Sequence, residues 1–121
     1  MTFKNLKLSP SILRVLKEEN YKKPTPIQAK SIPFILNGED ILGSAQTGTG
    51  KTAAFAIPII QHLSNHQRNL NGKQKILSLV ITPTRELAIQ IGESFMTYSK
   101  YTNVKNTVIF GGVPQRSQTN I

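Results

Sequence analysis

"AQTGTGKT", residues 45–52, decides how the rest of the chain is read. A triphosphate is held by backbone N–H groups aimed inward, and such a loop cannot carry bulky side chains at its turns. Gly48 and Gly50 supply that freedom within the loop Ala45, Gln46, Thr47, Gly48, Thr49, Gly50, just ahead of an expected helix N-terminus. Lys51 can neutralise the outer phosphates, and the Thr52 hydroxyl can hold a magnesium ion. These two are the candidate catalytic residues, with Thr52 also the candidate metal ligand. The usual phosphate-loop pattern begins with Gly, whereas Ala45 stands first here. Alanine is small enough to keep the loop tight. The bland alternative is a chance glycine-rich turn, and the flanking sequence argues against it.

On one side, "DILGSA" (40–45) reads as a short buried strand that feeds the loop, and "KTAAFAIPIIQHL" (51–63) continues as a helix that Pro58 should kink or shorten. "SNHQRNLNGKQK" (64–75) is polar and lacks apolar periodicity, so a loop is expected. "ILSLVITP" (76–83) is an apolar, β-branched strand of the kind buried on both faces of a parallel sheet. A helix should follow within 84–101, where Leu87, Ile91, Phe95 and Tyr98 keep a helical spacing, and "NTVIFGG" (106–112) reads as a third strand. Ahead of the loop, Ser9 and Pro10 open a helix with Ile12, Leu13 and Leu16 on one face, and Asn20 is its expected stop. A second helix should run from Pro26 to about Leu36, turned by "NGED". Strands alternating with helices predict an α/β fold: a parallel sheet flanked by helices.

The chain has 121 residues, enough for one modest core, with 15 Lys and Arg against 6 Asp and Glu, a formal charge of +9. That excess points to a polyanionic partner such as nucleic acid or nucleotide, against the alternative of an idle basic surface. The longest apolar run, "AAFAI" (53–57), is far below the roughly 20 residues of a membrane span, so no membrane association is expected. The absence of cysteine and of a signal-peptide-like start leads to the expectation of a cytoplasmic protein.

"YKKPTPIQ" (21–28) raises a second question. With Thr25 at the N-cap and Pro26 first in the helix, Gln28 falls third, and Thr-x-x-Gln is a capping box. That explains Gln28 without any function. Alternatively, its amide carries a donor beside an acceptor and matches the N6 and N7 edge of adenine, where guanine would mismatch. Tyr21 then offers a flat face to the base. The two readings can combine.

Taken together, Phe3, "YKKPTPIQ", "AQTGTGKT", "PTRELA" (83–88) and Gly111–Gly112 resemble, in order and spacing, the front of a DEAD-box RNA helicase. The stretch from Pro24 to Gln28 is similar to that family's adenine-reading Q motif, and "AQTGTGKT" to its motif I with Ala first. "PTRELA" resembles its motif Ia, and Gly111–Gly112 its GG element. The resemblance implies a P-loop NTPase fold of the RecA-like kind, incomplete at the C-terminus, with residues 1–36 a Q-motif helical region and 37–121 the front of the first RecA-like domain. It implies ATP and Mg2+ as cofactors, with Tyr21, Pro26 and Gln28 at the base and Ala45 to Thr52 at the phosphates. It further implies RNA as partner, contacted by Pro83, Thr84, Arg85, Gly111 and Gly112, with Phe3 packed behind the base site or simply in the core. Protein partners of the ribosome-assembly or RNA-decay kind belong to the same implication. "SKYTNVKNTVIFGGV" (99–113) is similar to the RhlE-like subgroup. Asn20 departs from the family, which usually has Gly there, but both accept positive φ.

Of the six acids, Glu18, Glu19, Glu39, Asp40, Glu86 and Glu93, none follows an apolar strand as a magnesium-binding Asp should. By the resemblance, the acidic element and a second domain would lie beyond Ile121, so the isolated chain is expected to turn over no ATP. Two other readings stay open at this point: a different P-loop protein such as a metabolic kinase or motor ATPase, or a non-enzymatic RNA-binding module. The Gln28 stretch separates the first from a helicase, since those proteins have no reason to place it ahead of the loop.

Overall fold

The computed structural model describes residues 2–43, 50–67 and 78–109. They form a 3-10 turn at Phe3–Leu6 and the helices α1 (Pro10–Glu18), α2 (Pro26–Leu36), α3 (Lys51–Gln67) and α4 (Arg85–Tyr98). Both expected N-terminal helices are present, and local chemistry accounts for their ends. α1 starts on Pro10 and buries Ile12, Val15 and Leu16 on one face. It stops where Asn20 turns left-handed at φ 65°. There the Asn20 N–H bonds the Lys17 carbonyl at 3.1 Å and the Tyr21 N–H bonds the Leu16 carbonyl at 2.8 Å, a Schellman stop. α2 ends the same way, with Gly38 and Glu39 bonding back to Ile35 and Phe34. Ser9 occupies the N-cap position of α1 but makes no side-chain cap bond. Instead Gln61 reaches over from α3: its Oε1 accepts from the Ser9 N–H at 2.7 Å and its Nε2 donates to the Lys7 carbonyl at 3.1 Å.

A single buried cluster joins Phe3, Leu6 and Leu8 to α1, α2, α3 and α4, centred on Ile12, Leu16, Ile32, Ile57 and Ile60. Phe3 is a core residue here. α3 is not shortened at Pro58, because the helix runs through that proline to Gln67. An interior proline costs about 3 kcal/mol. Ile57 and Ile60 on either side are fully buried, and each such side chain contributes roughly 1.5–3 kcal/mol. Packing outweighs the lost backbone bond. Residues 64–67, expected in a loop, therefore belong to α3, and the rest of that stretch, 68–75, lies outside the described residues.

The expected strands fare differently. Among the described residues there is no strand, and 40–43, 78–82 and 106–109 have no regular secondary structure. Leu42, Leu79, Ile81 and Ile109 are exposed. A helix closes its hydrogen bonds within itself, whereas a strand exists only beside a neighbour. Pro83 forms a bend ahead of α4, and residues 44–45, 76–77 and 110–112 of those expected strands lie outside the described ones. Among the described residues, no helix is long and apolar enough to cross a membrane.

Candidate functional site

Thr25, Pro26, Ile27 and Gln28 open α2, and the capping box is formed. The Gln28 Oε1 accepts from the Thr25 N–H at 3.0 Å, while the Gln28 N–H donates to the Thr25 Oγ1 at 3.4 Å. The other end of the same amide leaves the helix: Nε2 donates to the Gly50 carbonyl at 3.3 Å. Gln28 is buried to 4 % exposure, and among the described residues no buried side-chain N or O lacks a partner. One side chain thus ties the start of α2 to the residue immediately before Lys51.

Gly50 is required there for two reasons. Its φ is +85°, and a Cβ would lie 2.3 Å from the Gln28 Nε2 and 3.2 Å from the Thr25 Oγ1. Lys51 then opens α3, exposed, with Thr52 half-buried beside it and Ala53 and Ala54 buried behind. The first turn of α3 carries no acidic residue. A cation at the positive end of a 17-residue helix is disfavoured unless an anion sits in front of it, so the donor set suits a phosphate. Ala45, Gln46, Thr47, Gly48 and Thr49, and also Gly111 and Gly112, lie outside the described residues.

Pro83, Thr84 and Arg85 lie at the start of α4, all exposed. Thr84 is the N-cap: its Oγ1 accepts from the Leu87 N–H at 3.2 Å, and its carbonyl accepts from the Thr82 hydroxyl at 2.9 Å. Arg85 is the first helical residue after this cap, with Glu86 next to it in the first turn.

The DEAD/DEAH box helicase family matches residues 25–121. The chain belongs to this family. It is 44% identical over 117 residues to the DEAD-box ATP-dependent RNA helicase RhpA of Helicobacter pylori (strain B128), covering 97% of this chain and 22% of the relative. It is 43% identical over 118 residues to the ATP-dependent RNA helicase CshA of Limosilactobacillus reuteri, covering 98% of this chain and 22% of that one. The chain therefore spans about a fifth of the length of these relatives. The crystal structure of a DEAD box protein from Methanococcus jannaschii matches with a TM-score of 0.82 at 40% identity, over 99% of this chain and 31% of that one.

In this DEAD/DEAH box chain the sequence reading missed what fastens Tyr21. The Tyr21 hydroxyl lies 3.3 Å from that of Tyr98, with the ring centroids 6.2 Å apart and tilted by 51°. Burial pushes ionisation of the Tyr98 phenol far up, and the bond to Tyr21 adds to this, so the Tyr98 hydroxyl stays protonated. One turn on, the Tyr101 hydroxyl donates to both Glu18 carboxylate oxygens, Arg14 stands 4.0 Å over the Tyr101 ring, and Lys100 lies 3.7 Å from Glu18. The Tyr101 bond holds the Glu18 carboxyl below the usual carboxylate range, against the opposing effect of desolvation and with help from Lys100 and Arg14. Tyr21 and Tyr98 are 77 positions apart, beyond any local pattern. The available signal was the hydroxyl itself, because a tyrosine on a buried helical stripe needs a partner where phenylalanine would not.

Proposed function

We propose that this chain is the ATP- and RNA-binding front portion of an ATP-dependent DEAD-box RNA helicase, which unwinds or remodels RNA using ATP hydrolysis. The carrying observation is the Gln28 amide, held between the α2 cap and the Gly50 carbonyl. An amide side chain can make four hydrogen bonds, and the protein contacts use one lone pair on Oε1 and one N–H on Nε2. Among the described residues no further contact takes the second lone pair and the second N–H, which on this reading match adenine N6 and N7. Capping fixes the amide, and the fixed amide reads the base. Tyr21 offers its exposed ring for stacking.

On this reading Lys51 and the loop from Ala45 to Gly50 hold the phosphates, and the Thr52 hydroxyl holds Mg2+ together with them. The magnesium ion supplies charge neutralisation across the phosphates when bound. Among the described residues, no three His, Asp or Glu side chains gather in one place. Thr52 is taken as the magnesium ligand from its place in the phosphate-loop motif, and the catalytic acid is assigned outside residues 1–121, since the chain covers only 22% of its relatives. Pro83, Thr84 and Arg85, with Gly111 and Gly112, form the RNA path, where an exposed guanidinium at a capped helix start meets phosphates.

The reading includes a RecA-like parallel sheet with strands at 40–45, 76–83 and 106–112, a Q-motif region at 1–36 and the front of the helicase domain at 37–121. The relatives' names, ATP-dependent RNA helicases at 43% and 44% identity, support it. Its finer parts are the RhlE-like affinity of residues 99–113, a cytoplasmic location, and protein partners in ribosome assembly or RNA decay. The test is ATP turnover at saturating RNA by residues 1–121 and by the full-length protein. Background turnover by the first and RNA-stimulated turnover by the second is expected. Full-length protein that ignores RNA contradicts the proposal, and robust turnover by residues 1–121 alone contradicts the placement of the catalytic acid.

A further inference from the structure

We propose that Tyr98 is a positioning residue for the nucleotide base, acting through its hydroxyl contact with Tyr21. The inference rests on the reading that Tyr21 stacks on the base. Tyr21 follows the left-handed Asn20, and its backbone N–H is fixed on the Leu16 carbonyl at 2.8 Å. The residue, however, is 41% exposed, and its ring needs an external stop to hold one orientation. Tyr98 supplies that stop. It is 6% exposed, on the same buried stripe of α4 as Ile91 and Phe95, so its own ring is set by the core. A phenylalanine would pack there equally well. The hydroxyl carries a desolvation cost that only a partner offsets, and the partner the structure gives it is the Tyr21 hydroxyl at 3.3 Å. The tilted ring contact at 6.2 Å then leaves the rest of the Tyr21 ring outward.

Stacking is indifferent to base identity, since every base has a π-face, whereas the Gln28 amide discriminates. This gives Tyr98 a signature of its own. In the full-length protein, Tyr98→Phe should weaken ATP and GTP by the same factor, roughly two- to fivefold for a long neutral bond. Binding of inorganic tripolyphosphate, which has no base, should not change. Tyr21→Phe should give a similar loss, and the double variant Tyr21→Phe/Tyr98→Phe should be no worse than either alone, because both remove one contact. Tyr21→Ala serves as the control on the underlying reading and should weaken both nucleotides further. If Tyr21→Ala weakens them but Tyr98→Phe leaves them unchanged, the inference falls while the stacking reading stands. If Tyr21→Ala has no effect, both fall. Equal loss for tripolyphosphate, or additive losses in the double variant, would reduce Tyr98 to a packing residue and overturn the inference.

Discussion

Among the described residues, the α-helices α2 and α4 begin with a threonine whose side chain caps the helix, and their starts differ in what the third helical residue does. At α2 that residue is Gln28, 4% exposed, closing a capping box with Thr25 and bonding the Gly50 carbonyl. At α4 it is Leu87, 37% exposed, and Thr84 caps without a reciprocal side chain. The first start is cross-linked and turned inward, and the cation beside it, Lys51, belongs to the next helix. The second is open and places Arg85 on its first turn. On the proposed reading, the same cap serves two kinds of recognition. A neutral base needs a fixed donor and acceptor at one place, which demands a rigid, buried amide. Phosphates along a strand need positive charge at a defined height, which an exposed arginine on a capped helix supplies.

The largest effect should come from breaking the cross-link at its narrowest point. Gly50→Ala forces a side chain into left-handed backbone and against Gln28, which should cost about 2–4 kcal/mol of stability. Nucleotide affinity should fall with it. Lys51→Ala sharpens the result, because it should lower ATP affinity tenfold or more, the scale of a bond to a charged group, with the melting temperature unchanged. An unaltered ATP affinity in Lys51→Ala would separate this corner from phosphate binding altogether.

Next in size is Gln28→Glu. Glutamate still accepts from the Thr25 N–H and keeps the capping box, but it cannot donate to the Gly50 carbonyl or to a base nitrogen. Calorimetric titration should show the ATP preference over GTP collapsing by about 1–3 kcal/mol. If the preference survives, Gln28 is a cap and no more.

How much of this was legible beforehand divides along the same line. The α2 start was read from four consecutive residues, because caps, Pro at the first helical position and the box partner all lie within one turn. Asn20 was read as a stop for the same local reason. Pro58 misled on helix length because its local cost is fixed, while the burial of Ile57 and Ile60 that outweighs it is set by distant packing. The strand segments depend on neighbours far along the chain, and the described residues show none paired. Likewise, the Gln28–Gly50 bond, the Gln61 staple on Ser9 and the Tyr21–Tyr98 contact span 22, 52 and 77 positions. Residue types announced the candidates, but only the fold joined them.

At the α4 start, smaller effects are expected. Thr84→Ala should cost about 1 kcal/mol of stability through the lost cap. Arg85→Ala should weaken RNA binding uniformly across sequences and lower the salt slope by roughly one. Fluorescence anisotropy across a salt titration distinguishes them, and an unchanged slope would return Arg85 to the solvated surface.

The smallest expected effect lies at the contact between Glu18 and Tyr101. The Glu18 carboxyl is held low by the Tyr101 bond. A carboxylate so held contributes stability that is present above its unfolded-state value and lost as the pH falls through its lowered folded-state value. Glu18→Gln should therefore lower the melting temperature slightly at neutral pH, with the difference from the parent chain shrinking on acidification. A difference that grows in acid would show that the carboxylate is not favoured in the folded state.

The most direct test of the central claim, that a buried helix-cap amide reads adenine beside the phosphate loop, is titration of the unaltered protein with ATP and GTP under identical magnesium and salt. ATP should bind more tightly by about 1–3 kcal/mol, tenfold or more in Kd over most of that range. Equal affinities for the two nucleotides would contradict the account.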